Sequence, residues 1–162
     1  MYRFIIISFS LFTGLLWGQN SAQSSAYVSA SLIKGLSTQL IKPNLDFGET
    51  ILDGNASVLN KDPQMGINIK ISGHPQKNVI LNYLPLILTC KSDNLNFTPD
   101  VRHTYADPVY SDPIVVSNGR SLLLRNINGE GVLFLWIGGD INIKKDQLAG
   151  DYSGSFLITV SY

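Results

Sequence analysis

Residues 132–162 constrain the fold of this chain more than any other stretch. Within them, bulky apolar or aromatic side chains recur at every second position, at Phe156, Ile158, Val160 and Tyr162. A period of two is that of a β-strand with one face on a core. Residues 132–137 form an unbroken apolar run, too short for a typical helix, which predicts a strand buried on both faces. Gly138 and Gly139 end that run, and we expect a turn there before alternation resumes over residues 140–143.

Short alternating runs between turn residues continue through the rest of the chain. Residues 27–33 and 36–41, split by Gly35, predict two short strands or one bent strand. Residues 67–73 and 78–83 predict two more strands, which we expect to pair as a hairpin. Because no helical periodicity accompanies these runs, the sequence predicts an all-β, immunoglobulin-like antiparallel β-sandwich.

Three local patterns give more detailed predictions. In residues 67–71 the isoleucines share one face, so Asn68 and Lys70 are expected to face solvent. Residues 93–113 are expected to form a loop, with residues 94–99 as an edge strand at most, because two Asp-Pro pairs bracket its second half. Tyr152 stands just before the final strand and is placed like a tyrosine corner, with its hydroxyl bonded back to a loop carbonyl.

Length and charge limit what this chain can be. Its 162 residues are typical of one domain with a sizeable core. Twelve basic and twelve acidic residues cancel, so no basic surface predicts a nucleic-acid partner. The single cysteine, Cys90, has no second thiol for an internal disulfide, and we expect it in a strand as a small buried hydrophobe.

The first residues have the pattern of a secretory signal. Arg3 supplies the positive start, residues 4–17 are mainly apolar, and a small, polar stretch comes next. We predict a signal peptide over residues 1–22, with cleavage somewhere in 18–26, and then one sandwich domain over residues 27–162. The alternative is a retained membrane anchor, although the apolar part is short for a bilayer span of about 20 residues.

The residues that commonly carry chemistry are scattered through the sequence. His74 and His103 stand far apart with no ligand partner at metal-binding spacing, and we expect both in surface loops. The acidic residues are spread rather than paired, and no serine has the surroundings of a catalytic nucleophile. The prediction is therefore a chain that is not an enzyme, with no catalytic residue, no metal site and no cofactor.

Several segments resemble a secreted bacterial family known as domain of unknown function four-four-zero-two. They are L-W-I-G-G-D-I-N-I and Q-L-A-G-D-Y-S-G-S-F-L-I-T-V-S-Y at the C-terminal end, L-D-F-G at residues 45–48 and I-K-I-S-G at residues 69–73. That family is similar in plan to pilin-like and spore coat protein U-like sandwiches. The resemblance implies this fold and secretion from a bacterium, into the periplasm, to the cell surface or outside the cell.

Two functions remain as hypotheses. The first is a non-enzymatic structural or surface-assembly subunit of a bacterial envelope, pilin-like or coat-like, which meets the membrane only transiently during export. Its partners would be its own copies or other envelope subunits, joined by strand addition. The candidate assembly residues alternate in the two terminal runs: Val28, Ala30, Leu32, Phe156, Ile158, Val160 and Tyr162. The N-terminal strand would complete either its own sandwich or a neighbour's.

The alternative function is a secreted binding module, for carbohydrate among other ligands, that uses the 93–113 loop. Its candidate ligand-binding residues are the aromatic Tyr105, Tyr110 and Trp136. For Trp136 a core position is the competing interpretation, because its neighbours on both sides are apolar.

Overall fold

The computed structural model describes residues 29–91, 93–105 and 109–162. The predicted signal peptide, its cleavage site and Val28 lie outside these residues. Leu32–Tyr162 is one compact unit, and all the strands belong to it. The strands are β1 (Ser37–Lys42), β2 (Ser57–Lys61), β3 (Ile67–Gly73), β4 (Asn78–Tyr83), β5 (Leu86–Cys90), β6 (Asp93–Thr104), β7 (Ile114–Val115), β8 (Arg120–Leu123), β9 (Arg125–Ile127), β10 (Glu130–Ile143) and β11 (Ile158–Ser161), with a 3-10 turn at Pro63–Met65 between β2 and β3.

The strands form two antiparallel sheets. The large sheet has the order β1-β3-β10-β6-β5, with β2 and β9 also paired to β10 and β7 paired to β6. The small sheet has the order β11-β4-β8. Residues of both sheets share one apolar cluster, which includes Ile71 and Leu135 from the large sheet and Leu81 and Leu122 from the small one. The predicted all-β antiparallel sandwich is therefore confirmed.

β10 is the central strand of the large sheet. All six residues of the apolar run 132–137 are buried, which confirms the prediction of a strand covered on both faces. The expected turn at Gly138 and Gly139 is wrong, because β10 continues through both glycines and stays paired with β6 and β2. The glycines serve close packing instead: a Cβ on Gly138 would lie 2.5 Å from the backbone nitrogen of Pro63.

β3 and β4 do not form the expected hairpin. β3 pairs with β1 and β10 in the large sheet, whereas β4 pairs with β11 and β8 in the small one. The chain therefore crosses from one sheet to the other between Gly73 and Asn78. Both strands are apolar on one face, and face-to-face packing buries those two faces against each other, which a hairpin within one sheet does not do.

Asn68 and Lys70 also differ from expectation. Asn68 is buried, with only 2% of its surface exposed, and Lys70 is half-buried. Both lie on the outer face of the large sheet, where Asn68 stands opposite the bulky Trp136 of β10. Alternation identified the outer face of β3 correctly, but that face is covered at this point.

A second apolar cluster lies under the other half of β10. Leu95 and Phe97 of β6 pack there with Ile141 and Ile143, and the irregular segment carrying Leu45 and Phe47 closes the cluster. Phe156 packs against both clusters, and its ring centroid lies 5.9 Å from those of Tyr83 and Phe97. The residues that lead into the final strand thus join the two parts of the core.

Candidate functional site

The edges of the two sheets are the first candidate site, because the predicted assembly residues lie there. We call residues 32–42 the N-terminal arm. Its first half forms no strand, and its second half is β1, which among the described residues pairs only with β3. The strand predicted over residues 27–33 is therefore wrong where it can be checked: Ala30 and Leu32 lie in irregular chain, and pairing begins at Ser37.

All six side chains of β1 are exposed, although the strand is paired along its length. They include Leu40 and Ile41, and the first half of the arm adds Leu32, which is 90% exposed. The register is interrupted between Leu40 and Lys42, a local irregularity of the kind found on sheet edges. The arm is thus held mainly by its backbone and presents apolar side chains to solvent.

A few contacts hold the first half of the arm. Leu36 packs against the main core, and the Lys34 ammonium donates to the carbonyl of Gly129 over 2.7 Å. The Tyr162 hydroxyl donates to the Lys34 carbonyl over 2.6 Å and accepts from the backbone N–H of His74 over 2.7 Å. Tyr162 therefore ties the residues after β11 to the arm and to the end of β3.

β11 carries the remaining candidate assembly residues at an edge of the small sheet. Ile158 and Val160 lie within the strand and face the core, whereas Phe156 precedes it and Tyr162 comes after it. Within the described residues β11 pairs with β4 on one side only. The predicted alternation is confirmed up to Val160: Phe156, Ile158 and Val160 are half-buried and the residues between them are exposed, whereas Tyr162, expected on the same face, is 41% exposed.

A groove of about 390 Å³ lies beside the start of β11. Tyr83 and Phe156 supply its aromatic lining, and Asn82 and Asn118 supply amides. Two leucines at its border are strongly exposed, Leu84 at 72% and Leu157 at 76%. The groove therefore offers apolar contact area next to a strand that, in the part of the chain the structure describes, is paired on one side only.

The predicted binding loop over residues 93–113 is wrong for most of its length. Residues 93–104 form β6, which lies inside the large sheet between β10 and β5. Tyr105 comes directly after the strand and packs against the main core, and the Arg125 guanidinium lies 4.2 Å from the centre of its ring. Tyr105 is therefore a half-buried packing residue.

Tyr110 and Trp136 contact each other on the outer face of the large sheet. Their ring centroids lie 5.2 Å apart in an edge-to-face arrangement. Trp136 is only 7% exposed, and its indole N–H donates to the Thr104 hydroxyl over 3.0 Å. This burial agrees with the core interpretation of Trp136, and Tyr110 covers part of the ring.

A polar network around Asp93 was not expected from the sequence. One carboxylate oxygen of Asp93 accepts from the Gln147 amide, from the backbone N–H of Leu148 and from the Tyr152 hydroxyl. The backbone bond from Leu148, together with bonds from Asn94 and Tyr152, lowers the pKa of Asp93. The Tyr152 hydroxyl also lies 2.8 Å from the Leu148 carbonyl, which confirms the predicted tyrosine corner. This network fixes the approach to β11.

The structure places the two histidines and the single cysteine in a turn and in two strands. His74 lies in the turn after β3, as expected, but His103 lies in β6 and is 4% exposed, so its placement in a surface loop is wrong. Cys90 ends β5 and is half-buried, in agreement with a strand position. Among the described residues, no group of three or more His, Cys, Asp or Glu side chains could hold a metal ion, and no helix is long and apolar enough to span a membrane.

Comparison with known proteins does not assign this chain to a family. No family model, no curated protein and no solved structure matched it. The resemblance to the domain-of-unknown-function family four-four-zero-two therefore remains a prediction that rests on the sequence segments alone.

Proposed function

We propose that this chain is a non-enzymatic structural or surface-assembly subunit of a bacterial envelope, exported by its N-terminal leader and joined to other copies by strand addition. The observation that carries the proposal is the N-terminal arm. All side chains of β1 are exposed although its backbone is paired, so Leu40 and Ile41 lack an apolar surface to cover them. Apolar side chains grouped on an exposed edge are typical of protein–protein contacts.

The arm and the β11 edge supply complementary halves of such a contact. Strand addition needs an extended donor with apolar side chains and an acceptor edge with an apolar groove beside it. The arm of one copy is the proposed donor, and β11 with its groove is the proposed acceptor on the next copy. Because donor and acceptor differ, each copy could use both and the contact would extend into chains.

Light scattering after size-exclusion chromatography of the exported protein, over a range of concentrations, tests this proposal. We expect oligomers whose size grows with concentration. Leu40→Lys should weaken the donor, because a charge on a strand edge opposes pairing. Leu157→Lys should weaken the acceptor, because it places a charge at the border of the apolar groove. Ile51→Lys is the control, since Ile51 is an exposed apolar residue, at 93%, outside every described strand.

Mixing the two variants tests whether the arm is the donor and the β11 edge the acceptor. The Leu40→Lys protein keeps its acceptor and the Leu157→Lys protein keeps its donor, so the mixture should form dimers and nothing larger. A wild-type protein that stays monomeric at every concentration would contradict the proposal. So would an Ile51→Lys protein that loses assembly as fully as the other two.

A further inference from the structure

The outer face of the large sheet has a polar and aromatic patch that the assembly proposal does not use. Leu133, Leu135 and Ile137 of β10 belong to the main core, so Trp136 points to the opposite face. The register places Asn68 of β3 on one side of Trp136 and Arg102 of β6 on the other. The three side chains therefore lie in one row across the sheet.

Three polar atoms in this patch are buried without a partner. Both atoms of the Asn68 amide group, Nδ2 and Oδ1, have no hydrogen-bond partner among the described residues, and the same holds for the Tyr110 hydroxyl. Buried polar atoms in proteins are nearly always paired, so three unpaired ones around a single indole ring need an explanation. Since Asn68 offers an unused donor and an unused acceptor, a ligand that both donates and accepts would satisfy it.

The charged groups nearby limit the charge of such a ligand. Arg102 donates to Asp100 through Nε and Nη2, the latter over 2.8 Å. This ion pair is about two-thirds buried, with 34% and 31% of the two side chains exposed. Because the guanidinium is already neutralised, the patch does not favour an anion such as phosphate. The pair still presents donors and acceptors at the border of the patch.

The aromatic rings favour a ligand with a flat apolar face. The indole N–H of Trp136 is occupied by Thr104, which fixes the ring, and because the ring is only 7% exposed a ligand reaches it only where the Tyr110 ring moves aside. In this structure the Tyr110 ring packs edge-to-face against the Trp136 ring. An aromatic surface surrounded by a few polar groups is typical of sites that orient a small ligand.

We infer that this patch binds a neutral saccharide. One sugar ring lies on Trp136 in the place of the Tyr110 ring, and sugar hydroxyls pair with Asn68. The Tyr110 hydroxyl and the Asp100–Arg102 pair lie at the border of this site. The inference goes beyond the assembly proposal and does not depend on it. It also differs from the binding loop expected from the sequence, because four of its residues lie on strands of the large sheet.

Tryptophan fluorescence tests the inference directly. The chain has two tryptophans, Trp17 and Trp136, so Trp17→Phe in the full chain leaves Trp136 as the single indole. Cellobiose, maltose, laminaribiose and chitobiose are titrated into this protein, and calorimetry confirms any binding. We expect a saturable change in emission with at least one of them. Absence of a saturable response with all four overturns the inference.

Two variants separate binding from folding. Asn68→Leu and Tyr110→Phe should each weaken saccharide binding by about tenfold, which corresponds to the loss of one good hydrogen bond. Asn68→Leu should also leave the melting temperature unchanged or raise it, because it removes an unpaired buried amide. Asn142→Leu is the matched control, since Asn142 is exposed on the same sheet. Binding that survives both patch variants, or an Asn68→Leu protein that melts several degrees lower, overturns the inference.

Discussion

His103 lies on the inner face of β6, beside apolar neighbours. Its ring packs edge-to-face on Tyr105, with centroids 4.9 Å apart, and its Nδ1 has no hydrogen-bond partner among the described residues. Burial, together with the positive charges of Arg120 and Arg125, lowers the pKa of His103 below its ordinary value of 6.5. The folded protein therefore holds this side chain neutral at pH values where the unfolded chain would protonate it.

That histidine should make the stability of the protein depend on pH. Between the pKa of the unfolded chain, about 6.5, and the lower pKa of the folded state, the unfolded chain binds more protons. Stability should therefore fall as the pH is lowered from about 7 to 5. Thermal unfolding at several pH values measures this, and His103→Leu should flatten the dependence. Equal pH profiles for the wild type and His103→Leu would contradict it.

Tyr152 shows what a residue-scale pattern can predict. Its position before the final strand predicted a hydroxyl bonded to a nearby carbonyl, because the corner depends on a few local residues. Its other partners, Asp93 and Gln147, are bound through contacts that join β6 to the segment before β11. Nothing in the sequence spacing links position 93 with position 152, since the two are brought together only by the packing of the strands.

At the scale of elements, β6 and β10 show how a strand continues through proline and glycine. Pro99 lies in β6 at a point where β5 has already ended and β7 has not yet begun, since those strands pair with residues 93–97 and 102–103. A residue without an N–H is tolerated where a strand lacks one neighbour. Opposite Pro99, Gly139 leaves room for the Phe97 ring, whose Cε2 atom lies 2.9 Å from where a Cβ would be.

Gly138 provides a test of this interpretation. A Cβ there would meet the backbone of residues 61–63, which cannot move as a flexible side chain can. Gly138→Ala should therefore destabilise the protein by about 3 kcal/mol, at the upper end of the usual cost of overpacking. Gly35→Ala is the matched control, because a Cβ on Gly35 would meet no atom within 4 Å. Chemical denaturation of both variants measures the difference, and similar free energies of unfolding would mean that β10 does not need glycine at position 138.

At the scale of the whole molecule, the described residues form a sandwich whose edge strands include β1 and β11, each paired on one side only. The assembly proposal depends on those edges, whereas the saccharide inference depends on the outer face of the large sheet. The two surfaces belong to different parts of the sandwich, so one chain could use both. Light scattering of the Asn68→Leu protein would show whether assembly continues after saccharide binding is lost.

Export is a prediction of its own at this scale. The positive start and apolar middle of residues 1–17 predict removal of a leader from the exported chain. Mass spectrometry of protein recovered outside the cytoplasm should find an N-terminus between residues 19 and 27. An envelope fraction that contains only the intact chain beginning at Met1 would show that the leader is retained as an anchor.

The sequence by itself determined several of the strands of this protein and which of their faces are apolar, as in residues 67–73, 78–83 and 132–137. Side-chain alternation is a local property of an extended backbone, so it can be interpreted without knowing the neighbours. Only the tertiary structure decided that β3 and β4 belong to different sheets, that β10 continues through two glycines and that Asn68 is buried. Each of these depends on which distant strand lies alongside or above, and no local pattern specifies that contact.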